Sequence, residues 1–476
     1  MNSKRSFVIQ QICIEKGINM AAKTKRNHNR YMFGLGTIGR DMLYTIVSMY
    51  LLFFLTDILD LPDSTMWWMT GAMTILRIFD AVNDPVMGFL VDNTRSRFGK
   101  FKPWIVIGGI LGGILTILLF HDFGLKGAGY IILFVAVYLF WDLTYGANDI
   151  AYWSMLPSLT LDQKEREKTG SFARICANIG LFTTVVAILP VTGALGGDKR
   201  AWQITVIAIV LITWAFLMFT VFGVKEDKSI HVKQESTSLK EMFRILFRND
   251  QLLFTAISMA LFMIGYCTTT AFGVYFFKYA FKNEGMYSVF AAILGVSQLA
   301  ALSVFPLFSK KYSRKTLYAL ATILVVAGYV IFFFSPMNML FIGVAGILLF
   351  TGQAFIQLLM LMFLTDTVEY GQWKLGRRNE SITFSVQPFI NKIGGAIANG
   401  IVGATLIVSG INAAATPEDV TASGLLIMKL AMLILPLIII VIGYIIYYKK
   451  FKIDKQMYDK IISELASRGE INREQE

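Results

Sequence analysis

The chain has 476 residues, of which 55% are hydrophobic and only 16% charged, with a formal net charge of +12. Soluble domains carry about 25% charge. Apolar runs of about 18 residues or more, enough for a helix to cross a bilayer of roughly 30 Å, recur along the whole length. These values exclude a soluble enzyme. The runs do not alternate apolar with polar residues as a membrane β-barrel would. Without water at bilayer depth the backbone must pair within itself, so the spans are helices.

The tail 1–30 carries Lys4, Arg5, Lys16, Lys23, Lys25, Arg26 and Arg30 and lacks the apolar core of a signal peptide. Met20 is an alternative start, because the basic stretch AAKTKRNHNRYMFG after it already serves as a tail. Spans are predicted at 33–56, 67–91, 103–120, 127–155, 171–193 and 202–223. A polar connection, GVKEDKSIHVKQESTSLKEMFRILFRND, follows. Six more spans fall at 251–277, 285–308, 316–335, 338–368, 381–408 and 424–447. The expectation is an all-α polytopic membrane protein with twelve transmembrane helices in two six-helix halves, 31–223 and 251–447. A loop, 224–250, joins the halves, and a polar, partly helical tail, 448–476, ends the chain. Two such halves make the layout of the major facilitator fold.

Most of the 44 Lys and Arg residues lie on the tails, the central loop and every second connection. The positive-inside rule then puts both termini in the cytoplasm of a cell-membrane protein. The surplus charge faces anionic lipid and not nucleic acid. The connection after span 2 reads GFLVDNTRSRFGKFKPW, and the one after span 8 reads FPLFSKKYSRKTL, a weak internal repeat. The first fits the superfamily pattern at Gly88, Leu90 and Asp92, with Arg95 or Arg97 as its final base. Asp92 is expected to pair with one of these arginines and latch the cytoplasmic face; the alternative is a solvated basic loop. Near the end of span 10, TDTVEYGQWKLGRRNES offers Asp366, Glu369, Arg377 and Arg378 as an inner gate of ion pairs, or again as a solvated loop.

Span 2 contains RIFDAVNDP. Arg77, Asp80 and Asp84 are spaced i, i+3, i+7 and share one helical face. A charge at bilayer depth costs at least about 2.5 kcal/mol, so such groups persist by pairing or by facing water. Pro85 frees the carbonyl of Ala81. Asp80, Asp84, the Asn83 amide oxygen and that carbonyl form an oxygen-rich site suited to a monovalent cation or a proton; the alternative is a charge cluster that locks helices. Span 1 adds Arg40 and Asp41, span 4 Asp142 and Asp149, span 5 Arg174, and span 11 Lys392. Tyr145 and Trp153 flank Asp149 one turn away on either side. An aromatic plane beside a carboxylate and a cation suits a sugar: the ring stacks its C–H face and the charged groups bind hydroxyls. The second half offers mainly amides, Gln298, Gln353, Gln357, Gln387, Asn391 and Asn399, either hydroxyl partners or interhelical hydrogen bonds.

Cys13, Cys176 and Cys267 have no metal-ligand spacing and read as small apolar fillers. His28, His121 and His231 all fall outside the spans, so a histidine proton relay is not expected. There is no GxxxxGK[ST], HExxH, GxSxG or CxxC, so neither ATP-driven nor enzymatic chemistry is expected.

The blocks GRDMLY, RIFDAVNDPVMGFLVDNTRSRFGKFKPW, DIAYWSMLPSLTLDQKERE, DTVEYGQWKLGRRNESI and NKIGG resemble the glycoside–pentoside–hexuronide:cation symporter family, which includes the melibiose permeases. The resemblance runs from about residue 31 to 450. It implies a cation site at Asp80, Asn83 and Asp84, and sugar recognition by Asp41 and Asp149 with Trp153 as stacking ring. Arg40, Arg174 and Lys392 would line the same pocket. Melibiose permeases place a Thr cation ligand where Gly146 stands here, which leaves Na+ and H+ both open as coupling ion. Aromatic lining positions of the family are Gln357 and Ser48 here, which points away from melibiose itself. The expected protein is a monomeric sugar symporter in the lipid bilayer, without cofactor, ATP or nucleic acid. Two rivals remain: a cation-coupled carrier of a lysolipid-like amphiphile, which needs an apolar tunnel, and a non-transporting sensor, which would need an appended soluble domain.

Overall fold

The computed structural model describes residues 27–59, 61, 63–125, 127–225, 247–283, 286–411 and 417–471. The basic tail before residue 27 and most of the central loop lie outside the described residues, as do the side chains of Arg77 and Asp80. Among the described residues there is no strand. Six long helices precede the central loop: α1 (27–58), α2 (Asp63–Asp92), α3 (Lys102–Leu119), α4 (Ala128–Ser154), α5 (Gln163–Ala194) and α6 (Lys199–Gly223). Six follow it: α7 (Asp250–Ala280), α8 (Met286–Lys311), α9 (Arg314–Phe334), α10 (Met339–Leu375), α11 (Glu380–Val408) and α12 (Ala422–Lys450). A short amphipathic helix, α13 (Lys455–Ser467), ends the described chain.

Among the described residues ten of the long helices are apolar enough by composition alone to cross a membrane. Polar residues set where the helices start. The side chains of Asp162, Asp198, Asn249, Ser313, Asn338, Thr421 and Asp454 each accept a hydrogen bond from a first-turn N–H, at 2.8–3.2 Å. Gly376, with φ +73°, ends α10 in the left-handed conformation that glycine adopts without strain. Three helices clearly outrun the sequence expectation. α1 is helical from 27 instead of 33, α5 begins at Gln163 instead of 171, and α10 runs to Leu375 instead of 368. These extensions are charged segments, whose charges find partners on other helices.

The connections of α2–α3, α4–α5, α8–α9 and α10–α11 lie at one end of the bundle with the start of α1 and with α13; this is the basic face. The apolar core is not uniform along the bundle axis. Near the basic face one continuous cluster joins first-half residues such as Phe33, Phe101, Tyr152 and Leu156 to second-half residues such as Leu252, Phe305, Leu359 and Phe384. At the far end the first half keeps a separate core around Leu51, Phe54, Phe120, Tyr130 and Trp202. The halves are therefore packed together at the basic face and have separate cores at the other end.

Within a half, glycines set the closest approaches. A Cβ added at Gly352 of α10 would sit 2.6 Å from the Ala321 carbonyl oxygen of α9, a backbone atom that cannot swing away. Gly352→Val should therefore cost about 1–3 kcal/mol or more of stability, read as a lower thermal midpoint of the detergent-purified protein. Gly403→Val in α11, where nothing lies within 4 Å, is the control and should leave that midpoint unchanged.

Candidate transport site and gate

Ion pairs cluster at the helix ends of the basic face. Asp92 ends α2. Its carboxylate accepts hydrogen bonds from the N–H groups of Ser381 and Ile382, at 3.0 and 2.8 Å, and so caps α11 from the other half of the molecule. The cation on Asp92 is Lys100, at 2.6 Å, which also reaches Glu380 at 2.7 Å. This corrects the expectation that Arg95 or Arg97 would be that cation. Arg97 is exposed and lies over the Phe98 ring at 4.6 Å. The motif's glycine has a local reason: a Cβ at Gly88 would meet the Ser381 carbonyl at 2.6 Å, so only glycine lets α2 approach α11 this closely. Burial alone would depress the Lys100 ammonium, but Asp92 and Glu380 outweigh it and hold its pKa above the ordinary lysine value. The Lys100 ammonium therefore keeps its charge until pH rises through the raised value, while burial pushes the Asp92 carboxyl up, so the latch also weakens as pH falls through that raised acid value.

Asp366 and Glu369 of α10 are both ion-paired at this face, Glu369 with the expected Arg378 and both with arginines from other helices. Arg166 of α5 clasps Glu369 through two nitrogens, at 3.0 and 2.6 Å, and Arg378 adds a third bond at 3.0 Å. Arg378 also pairs with Glu380, which joins this group to the Lys100 latch. Arg314, at the start of α9, bridges Glu167 of α5, at 2.7 Å, and Asp366. Tyr458 of α13 accepts from Arg166 at 3.1 Å and donates to the Leu161 carbonyl at 3.1 Å. The terminal helix thus ties onto the α4–α5 connection of the other half.

Deeper in the bundle, two clusters hold the remaining charges. On the first half, Arg40 pairs with Asp149, and its guanidinium lies 4.4 Å from the Tyr152 ring. The Arg174 guanidinium lies 4.4 Å from the Trp153 ring. Asp41 Oδ2, Arg40 Nε and Nη1, and Arg174 Nε are buried and make no hydrogen bond among the described residues. Trp153 is itself buried, with Arg174 over one face, so a sugar can stack on that face only if Arg174 swings aside. The more accessible rings beside Asp149 are Tyr145 and Tyr44, stacked at 5.2 Å. The other cluster spans the two halves. Lys392 of α11 lies 3.0 and 2.9 Å from the two carboxylate oxygens of buried Asp84 on α2. Lys392, expected in the sugar pocket, thus sits on the carboxylate expected to bind the cation. Asn83 is half-buried beside it, and the Asp80 side chain lies outside the described set.

A two-half helical bundle, shut by ion pairs at one end and holding charged clusters at mid-depth, is a carrier of the major facilitator type. The comparisons agree: the chain belongs to the family described as "MFS/sugar transport protein", whose profile matches residues 32–455. It is therefore a multi-pass membrane transporter and not an enzyme. It is 35% identical to the raffinose carrier protein of Pediococcus pentosaceus over 454 residues, 92% of this chain and 71% of that protein. To the lactose permease of Lactobacillus delbrueckii subsp. bulgaricus it is 33% identical over 457 residues, 93% of this chain and 73% of that protein. Among solved structures it superposes on FucP in the outward conformation with TM-score 0.64 at 12% identity, covering 90% of this chain and 99% of that one, a likeness of fold.

Neutralising Glu369 should loosen the shut face. Glu369→Gln leaves Arg166 and Arg378 buried without their shared carboxylate, a loss of about 3–5 kcal/mol for a buried pair. A single cysteine at Ser158, buried 3.4 Å from Glu380, should then react with a membrane-impermeant maleimide applied to the basic face. Labelling no faster than in the parent would mean that these pairs do not hold that face closed.

Proposed function

We propose that the protein imports a di- or trisaccharide together with a monovalent cation, Na+ or H+, across the cell membrane. Both termini lie in the cytoplasm, and the halves 31–223 and 251–447 rock against each other about the substrate, joined by the loop 224–250. The positive-inside rule supports the orientation, since the basic face carries the lysines and arginines. On that reading the ion-pair gate closes the cytoplasmic side, and the transporter is poised to load from outside. The relatives named for raffinose and lactose support an oligosaccharide substrate.

The observation that carries the reading is the Lys392–Asp84 pair, a protein cation seated on a membrane carboxylate between the two halves. Na+ or H+ arriving at Asp84, with Asn83 and Asp80 on the same helix, competes with that ammonium. Once displaced from Asp84, Lys392 turns its N–H donors to sugar hydroxyls. Asp41, Asp149, Arg40 and Arg174 bind the remaining hydroxyls, and Trp153 takes the ring face once Arg174 moves. Cation and sugar each make binding of the other more favourable by the same free energy, which is the thermodynamic requirement for symport.

Asp84→Asn should abolish gradient-driven accumulation in reconstituted vesicles while sugar exchange at equal concentrations persists. Accumulation that survived in this variant would remove Asp84 from coupling. Asp149→Ala should weaken sugar binding about 10- to 100-fold, the range for loss of hydrogen bonds to a charged group. Calorimetric titration of the purified protein checks it, and unchanged affinity would place the sugar elsewhere. Imposing Na+ or pH gradients separately on the same vesicles identifies the ion.

A further inference from the structure

The second half lines the mid-depth space with neutral groups. Gln298 of α8 donates to the Tyr266 hydroxyl of α7 at 3.5 Å, the long limit of a hydrogen bond, and Gln357 of α10 lies beside the same hydroxyl. Neither partner's capacity is filled by so long a contact. Gln357 stands out on α10. From Gly352 to Gln372 every residue except Gln357 is buried, so a partly exposed side chain in this enclosed helix marks a hollow inside the protein.

Contacts with α5 fix the depth of these amides. Gly170 of α5 packs on Met362 of α10, and Ser171 donates to the Leu302 carbonyl of α8. At 1.5 Å per residue, Gln357 lies about 7.5 Å and Gln298 about 6 Å deeper than those contacts. Arg174 lies about 4.5–6 Å deeper by the same measure. The amides and the Arg174–Trp153 pair therefore occupy one level, on opposite halves.

We propose that Tyr266, Gln298 and Gln357 form a second glycosyl subsite that holds the second sugar unit of an oligosaccharide through neutral hydrogen bonds. The first unit is held by the charged cluster of the other half. This inference rests on the sugar-binding reading above. Phenol and amide groups both donate and accept, which suits hydroxyls of either orientation, and they bring no charge needing a counter-ion when the sugar leaves. Bridging the halves through one oligosaccharide also favours the state in which both halves grip it, an advantage a monosaccharide lacks.

The test is binding of methyl α-galactoside, lactose and raffinose to the full chain purified in nanodiscs. The parent should bind at least one of the oligosaccharides about tenfold or more tighter than the methyl glycoside. Tyr266→Phe combined with Gln298→Leu should bring that ratio down about tenfold while methyl glycoside affinity stays within twofold, which also shows that the variant is folded. Gln357→Ala alone should shift the ratio in the same direction, and it decides the matter if the double variant binds nothing. An unchanged ratio, or equal weakening for all three sugars, overturns the subsite. A parent that binds the methyl glycoside as tightly as the oligosaccharides also overturns it, but leaves sugar transport standing. A parent that binds no sugar overturns the sugar-binding reading itself.

Discussion

A charge held at bilayer depth must keep a counter-charge beside it, and that rule organises most of this structure. Removing one partner of a buried pair costs several kcal/mol, more than a single helix contact returns. The chain nevertheless buries Arg166 with Glu369, Asp84 beneath a partly exposed Lys392 and Arg40 beneath a partly exposed Asp149. In the first two of these the partners come from different halves. Such a pair adds to the apolar cluster that already joins the halves at the basic face, and it does so only while both partners remain charged and in reach. Apolar packing is blind to ions; on the proposed function the charged pairs are what make the joint answer to a cation.

The gate shows the same logic in duplicate. At the start of α3, Lys100 reaches Glu380 at the start of α11. At the start of α9, Arg314 reaches Glu167 at the start of α5. Each half thus extends a cation from its second connection to an acid at the beginning of the other half's fifth helix. Repeats related by an axis along the membrane normal produce this exchange. Asp92 caps α11 across the interface, and α13 lays Tyr458 over the α4–α5 connection. Opening the basic face therefore means breaking a connected network. Its members lose partners together, so the transition is cooperative.

How much of this was legible in the sequence depended on the physical range of each interaction. Helix existence is local: apolar runs placed the twelve spans. The large boundary errors, at the start of α1 and at α5 and α10, fell on charged segments, where helix or loop is decided by partners far away in the chain. The individual acids of the gate were readable because Asp92, Asp366 and Glu369 sit at span ends. Of their partners only the nearby Arg378 was readable: Lys100 is eight positions from Asp92 but 280 from Glu380, and Arg166 is 203 from Glu369. Proximity in sequence favoured Arg95 and Arg97, yet the folded connection presents Lys100. The deep site followed the same division. Arg40, Asp149 and Arg174 were identified as polar residues in spans, whereas Lys392 on Asp84 and Arg174 on Trp153 depend on tertiary placement.

Lys392 gives the membrane carboxylate of Asp84 a counter-charge from the other half. A carboxylate at that depth without one would either take up a proton or draw water into the bundle. On the proposed function the same ammonium sets a threshold: a visiting cation must outbid a group already in place, and a sugar that accepts hydrogen bonds from Lys392 lowers that threshold. Cation and sugar then each favour binding of the other, which suppresses uncoupled leak by either one.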